Sequence, residues 1–281
     1  MAFNYTSKRS KSFWKKNLYE NRGFPDNYTD ESFLHELRKN IKPNNVTIES
    51  AITLGASIST QLSIVILFVI VFIWLNNEWI SPNTIFISSS ALTIIGYLFY
   101  ISMLPTLAAR VPKDCRTALI FLVFGYILSP VLKTLTETIS TDTIYAMTIF
   151  MFFIHLSFSK YGIPPVSLSD SLSITSSIFG SLMLASRLAS PFHAFTLLTV
   201  AVQCFVLLPF LLIKKADKMI FISLIFTVMT LYFLVVVSDI LSLVFIVVTI
   251  FVDIICPFWY IRWQKYKDNI YGPWDEAVIK K

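Results

Sequence analysis

The stretch Ile52–Leu75 reads ITLGASISTQLSIVILFVIVFIWL and holds no Asp, Glu, Lys or Arg. A helix that crosses a bilayer needs about 20 consecutive, mainly apolar residues, and this stretch meets that length. Further runs of the same kind follow at Thr84–Leu104, Thr117–Leu132, Ile144–Phe158, Leu168–Leu188, Phe192–Ile213, Met219–Val237 and Ile240–Ile261. The third and fourth spans are short, and Ser238-Asp239 is nearly all that separates the last two, which read as a tight hairpin. The expected fold is all-α: a polytopic membrane protein of eight transmembrane helices. Residues 1–50 form an amphipathic and basic tail, 51–261 the membrane domain, and 262–281 a second tail.

Composition leads to the same class. Of 281 residues, 55% are hydrophobic and 14% charged, where soluble domains carry about 25% charged residues. A soluble fold would have too little polar surface to cover so many apolar runs. The charge is confined to the connections. With the N-terminus in the cytosol, all of the 23 Lys and Arg residues except Lys133 and Arg187 lie on the cytosolic side, as the positive-inside bias requires. A seven-span arrangement would place the basic tail after Ile261 on the wrong side. Net charge +6 is thereby explained without a nucleic-acid partner. The aromatic run Phe258-Trp259-Tyr260, with Trp263 and Tyr266 beyond it, marks a headgroup boundary at the end of the last span.

The first tail has no short apolar core ahead of a small-residue cleavage site, so the first span is expected to serve as the insertion signal. Glycosylation-type triplets at Asn4, Asn27 and Asn45 are chance matches if that tail is cytosolic. Asp30 can cap a helix carrying Phe33, Leu34, Leu37 and Ile41, which Pro43 ends. Ahead of it, Phe13, Trp14, Leu18 and Tyr19 form an apolar patch beside Lys15 and Lys16. This pattern suits either a helix lying on anionic lipid or a docking surface for a soluble partner domain. Cys115, Cys204 and Cys256 are scattered and odd in number, which excludes a disulfide framework and a paired-cysteine zinc site.

Polar residues inside spans are expensive and point to function or to helix contacts. Asp253 and Gln203 lie deep in their spans and His155 lies near the end of its own. The expected role for His155 and Gln203 is an interhelical hydrogen bond, and Asp253 is expected to face a donor on another helix. Asp170 opens its span, where a carboxylate favours the positive helix end. Small residues recur every four positions at Ser169, Ser173, Ser177, Ser181 and Ala185, a seam for close helix packing. The most polar connection runs from Ser129 to Asp142. There Lys133 and Glu137 stand four apart and could pair on one helical turn, in the weaker order. Pro130 frees a carbonyl that nearby threonines could satisfy. The stretch suits a rigid cap, or the lining of a binding site as in interrupted spans.

Motifs for catalysis are missing from the sequence. It has no Asp-x-Asp for a nucleotide-sugar metal, no His-Glu-x-x-His and no Gly-x-Ser-x-Gly, and its 7 glycines form no phosphate loop. No cofactor and no metal are expected.

Several long blocks resemble the phosphatidylinositol glycan class C family. They are Trp14–Glu20, Phe24–Tyr28, Phe33–Arg38, Ser129–Met147, Ala185–Leu188, His193–Phe195, Cys256–Phe258 and Gly272–Ala277, in one order over nearly the whole chain. The resemblance implies a non-catalytic membrane subunit of the endoplasmic-reticulum complex that transfers N-acetylglucosamine from its UDP donor to phosphatidylinositol. That is the first step of glycosylphosphatidylinositol-anchor synthesis. The partners so implied are a catalytic glycosyltransferase subunit, other membrane subunits, and phospholipid. Candidate subunit or lipid contacts are Trp14, Tyr19, Phe24, Pro25, Asp26, Tyr28, Lys133, Glu137, Asp142, Trp274 and Asp275. Two other classes suit a polytopic chain: a membrane transferase with its own site, and a small lipid or solute transporter coupled through Asp253 or Lys133. No internal two-fold repeat supports the transporter.

Overall fold

The computed structural model describes residues 28, 38–39, 46–103, 111–135, 138–159, 161, 170–213, 218–267 and 270–271. The chain divides into two compact units, Val46–Arg262 and the combination of Met1–Asn45 with Trp263–Lys281.

The described residues form eight helices. They are α1 (Ile48–Asn76), α2 (Pro82–Met103), α3 (Val111–Leu135), α4 (Thr141–Phe158), α5 (Asp170–Ala185), α6, α7 (Met219–Val237) and α8. Two of them contain a wider π turn. In α6 the segment Pro191–Val202 passes through Gln203–Leu207 into Leu208–Ile213. In α8 Asp239–Ile250 passes through Phe251–Ile255 into Cys256–Gln264.

Local chemistry sets the ends. The Thr47 hydroxyl accepts the Ser50 N–H and opens α1. Glu78, at φ 57, takes the left-handed turn that closes it, and the Trp79 N–H donates to the Trp74 carbonyl. Pro82 begins α2, where its missing N–H costs nothing. Ser140 and Ser190 cap α4 and α6 in the same way as Thr47. Ser238 alone separates α7 from α8, the tight hairpin expected.

Among the described residues six helices are long and apolar enough to cross a membrane: α1, α2, α3, α4, α7 and α8. The chain is a polytopic membrane protein. The apolar part of α5 and the first part of α6, Ser171–Ala185 and Pro191–Leu207, are shorter. They are nonetheless well enclosed. Ser177, Ser181, Ala185, Leu197 and Ala201 are fully buried, so protein rather than lipid surrounds much of their length.

The organising element is α1, which is buried on two faces. Ile64, Val65, Phe68, Phe72 and Leu75 join a core with Phe152 of α4, Leu184 and Ala185 of α5, and Leu197, Ala201 and Phe205 of α6. The other face presents Ile70 to Leu234 of α7 and Phe245 of α8. By contrast α2 and α3 lean chiefly on α6 and leave most of their apolar surface open. The serine stripe of α5 is an internal seam, with Ser173, Ser177, Ser181 and Ala185 all buried. A Cβ on Gly180 would stand 3.3 Å from Met151 Cβ of α4.

Four expectations are corrected. The third span is not short, because α3 begins at Val111, ahead of Thr117, and runs through Pro130 to Leu135. The carbonyl that Pro130 frees, on Tyr126, accepts the Ser129 hydroxyl at 3.0 Å rather than a threonine. The fourth helix starts earlier, at Thr141, under its Ser140 cap. In the unit made by the tails, Arg38–Lys39 forms a strand (β1) instead of the end of a helix. It pairs antiparallel with Ile270–Tyr271 (β2), Arg38 opposite Tyr271 and Lys39 opposite Ile270. Backbone pairing across the two tails has overridden the local helical period.

Close approach of α1 and α8 depends on Gly55. A Cβ there would lie 2.9 Å from the Val252 carbonyl oxygen and 3.4 Å from the Asp253 Cα. Both are backbone atoms and cannot move aside as a side chain would. Gly55→Ala is expected to lower stability by about 1–3 kcal/mol, read as a fall in melting temperature in detergent. Gly96→Ala serves as the control, since its methyl would meet only Leu211 Cδ1 at 3.7 Å. An unshifted melting temperature for Gly55→Ala would refute this account of the contact.

Candidate functional site

Inside the bundle the polar residues are arranged around the two π turns. Asp253 lies in the turn of α8, and the Ser59 hydroxyl of α1 donates to its Oδ1 at 2.5 Å. Gly55, one turn before Ser59, gives α8 the space to come this close. The expected donor on another helix is thus Ser59. Such a contact between spans contributes about 0.6–2 kcal/mol, which helps to select one neighbour for α8.

His155 sits near the end of α4 and is buried. Its Nδ1 lies 3.0 Å from the Ser173 carbonyl oxygen and 2.9 Å from the Ser173 hydroxyl, both on α5. The Ser159 hydroxyl donates to the His155 carbonyl at 2.7 Å and stands 2.9 Å from the Ser173 hydroxyl. The Tyr161 hydroxyl donates to the Leu156 carbonyl. Burial pushes that phenol up to about 12, against a small opposing effect of Ser159, so it remains a neutral donor near pH 7. The interhelical bond expected of His155 is therefore present. Phe205, in the π turn of α6, meets the imidazole edge-on at 5.1 Å. Phe205 also packs with Phe68 at 5.2 Å and Phe152 at 5.6 Å, closing an aromatic triad against the histidine. Gln203 begins the same turn.

At the opposite end of α4 the connections are tied together. The Arg187 guanidinium, in the turn after α5, donates through Nη2 to the Ile139 carbonyl at 2.7 Å. Two blocks that are far apart in sequence thereby meet in space. Asp142 stands exposed in the first turn of α4, where the positive helix end favours its charge. Lys133 lies in the last part of α3. Tyr28 is exposed. Trp14, Tyr19, Phe24, Pro25, Asp26, Glu137, Trp274 and Asp275 lie outside the described residues, and so does the Lys133–Glu137 pair.

Sequence reasoning missed Ser59, Phe205 and Arg187 as contact residues, and gave Ser173 a place in the packing seam without naming it as the partner of His155. A signal for the first was present: Ser57-Ile58-Ser59-Thr60-Gln61-Leu62-Ser63 is the most hydroxyl-rich stretch in an otherwise apolar span. Among the described residues no three His, Cys, Asp or Glu side chains gather as a metal site would need.

Comparison with known proteins covers nearly the whole chain. The family model described as GPI2: Phosphatidylinositol N-acetylglucosaminyltransferase matches residues 14–275. The C subunit of phosphatidylinositol N-acetylglucosaminyltransferase from Bos taurus is 39% identical over 278 residues, covering 95% of this chain and 93% of that protein. Its Homo sapiens counterpart is 38% identical with the same coverage. In Schizosaccharomyces pombe, the phosphatidylinositol N-acetylglucosaminyltransferase GPI2 subunit is 30% identical over 95% of this chain and 87% of its own length. No solved structure matches. The chain belongs to the GPI2 family of phosphatidylinositol N-acetylglucosaminyltransferase subunits.

Proposed function

We propose that this chain is the C subunit of the complex that transfers N-acetylglucosamine from its UDP donor to phosphatidylinositol, the first step of glycosylphosphatidylinositol-anchor synthesis. Within it the chain acts as a non-catalytic component of the endoplasmic-reticulum membrane. The observation that carries this reading is the full-length likeness to the bovine and human C subunits, at 38–39% identity over 95% of the chain. The non-catalytic role is supported by the chemistry of the bundle. Asp253 and His155 are engaged with Ser59 and Ser173 of neighbouring helices. A transferase acting on a UDP-sugar must neutralise the departing diphosphate with a metal or a basic, amide-lined pocket, and the sequence supplies no motif for either.

Both tails face the cytosol, and α5 and α6 complete a set of eight spans. Two features support this. The pairing of β1 with β2 supports a reading with both tails on one face of the bilayer, and so with an even number of crossings. The Lys and Arg distribution then selects the cytosolic face. The aromatic tail segments around Trp14 and Trp274 dock on the cytosolic domain of the catalytic subunit, since Trp and Tyr anchor interfaces well.

Three outcomes are expected. The purified chain in phosphatidylinositol vesicles forms no glycolipid from radiolabelled UDP-N-acetylglucosamine, while the assembled complex does. Product formed by the chain alone would overturn the non-catalytic reading. In sealed microsomes a cysteine at Asn77 is labelled only after the membrane is opened, and a cysteine pair at Arg38 and Tyr271 cross-links. Labelling of position 77 from outside would defeat the topology. Replacing Trp14 and Trp274 by alanine lowers recovery of the catalytic subunit with the chain while the membrane unit keeps its melting temperature. Full retention would leave the tails as lipid-resting segments.

A further inference from the structure

Gln61 Oε1, Ser63 Oγ, Thr148 Oγ1 and His155 Nε2 are buried without a hydrogen-bond partner among the described residues. They are not equivalent. A serine or threonine hydroxyl in a helix can rotate toward a carbonyl of the preceding turn, so Ser63 and Thr148 have a remedy of their own. Gln61 and His155 have none. The His155 Nδ1 faces the Ser173 carbonyl, which can only accept. Nδ1 therefore carries the proton, and Nε2 of the neutral ring is a bare acceptor. The Gln61 amide, in the orientation present, turns its Oε1 acceptor inward as well.

Both acceptors address the same interior. Gln61 shares the face of α1 that carries Ile64, Phe68 and Phe72 toward α4 and α6. Phe68 meets Phe152, and Phe72 meets Tyr145, so α1 and α4 run antiparallel. Continuing that register puts His155 level with Ile64, and Gln61 about one turn, roughly 5 Å, nearer the end where α1 begins. The triad of Phe68, Phe152 and Phe205 forms the floor. Beside His155 lie the hydroxyls of Ser159 and Ser173.

We propose that Gln61 and His155 accept hydroxyl groups of the inositol ring of the phospholipid substrate, taken into the bundle from the end at which α1 begins and α4 finishes. The proposal rests on the reading above that the complex acts on phosphatidylinositol. A cyclic polyol presents hydroxyl donors on all sides and can reach two acceptors on different helices at once. Its C–H faces suit an aromatic floor, and neutral acceptors suit a neutral ring. Both side chains are covered, at 8% and 2% exposure, so entry parts α1 from α4, which meet only sparsely.

The test uses the whole complex in phosphatidylcholine nanodiscs with graded phosphatidylinositol. His155→Asn keeps a donor for the Ser173 carbonyl and deletes the Nε2 acceptor. Gln61→Leu deletes the other. Each is expected to raise the KM for phosphatidylinositol about tenfold, the effect of one hydrogen bond near 1.4 kcal/mol, with the KM for UDP-N-acetylglucosamine unchanged. An unchanged KM for phosphatidylinositol in both intact variants would reduce the pair to a site for buried water and overturn the proposal. If a variant fails to assemble, wild-type complex with a phosphatidylinositol carrying a photoreactive group on its ring decides. Cross-links to α1 or α4 around residues 61 and 155 support the proposal, and cross-links only elsewhere refute it. Failure of the underlying reading is distinct, since the wild-type complex would then form no glycolipid.

Discussion

Lipid dissolves a leucine side chain about as well as a helix bundle does, so apolar burial alone cannot select how these helices pack. The selection falls to contacts that lipid cannot imitate: backbones brought close over small residues, and polar groups that would otherwise be stranded in hydrocarbon. In this chain both kinds coincide. Gly55 lets α8 approach α1 to backbone distance, and the same approach delivers Asp253 to Ser59. The serine seam of α5 lets α4 come near, and the same approach delivers His155 to Ser173. Each small residue makes room, and each polar pair fixes the register within that room.

From these two contacts the remaining arrangement follows. Since α1 is buried on two faces, it joins the α4–α5–α6 core to the α7–α8 hairpin. Helices α2 and α3 add to the outside of α6 and keep broad apolar surfaces for lipid or for other membrane subunits. A chain with this plan has a dense centre and a loosely attached rim. That suits a component which must stay folded while neighbouring subunits are assembled around it.

Much of this plan was legible in the sequence. Run length and the placement of Lys and Arg give the helices, the α7–α8 hairpin and the membrane class, because bilayer thickness and charge bias act on sequence directly. Asp253 and His155 could be expected to bond across helices for the same reason. Their partners could not be named, since Ser59 and Ser173 are two of many serines and only the fold brings them opposite. The α3 boundaries were drawn short because Lys113, Arg116 and Lys133 flank the apolar run, whereas the helix continues through all three from Val111 to Leu135. The strand at Arg38–Lys39 was hidden because its partner lies more than two hundred residues away, at Ile270–Tyr271. Most of the proposed contact residues in the tails lie outside the described residues, and their roles rest on the sequence blocks around them.

The π turns of α6 and α8 also bear on how this family can vary. A π turn holds one residue more than the α-helical turn it replaces, and each residue advances an α-helix by about 100°. Removing a single residue from Phe251–Ile255 would let α8 regularise. The segment Cys256–Gln264 would then rotate by about that angle, turning Pro257 away from Gly55 and carrying the Phe258–Trp263 aromatic belt round with it. The length of these turns is thus a setting for the azimuth of everything after them. Exchanging one apolar residue for another there leaves that azimuth alone, whereas gaining or losing a single residue does not.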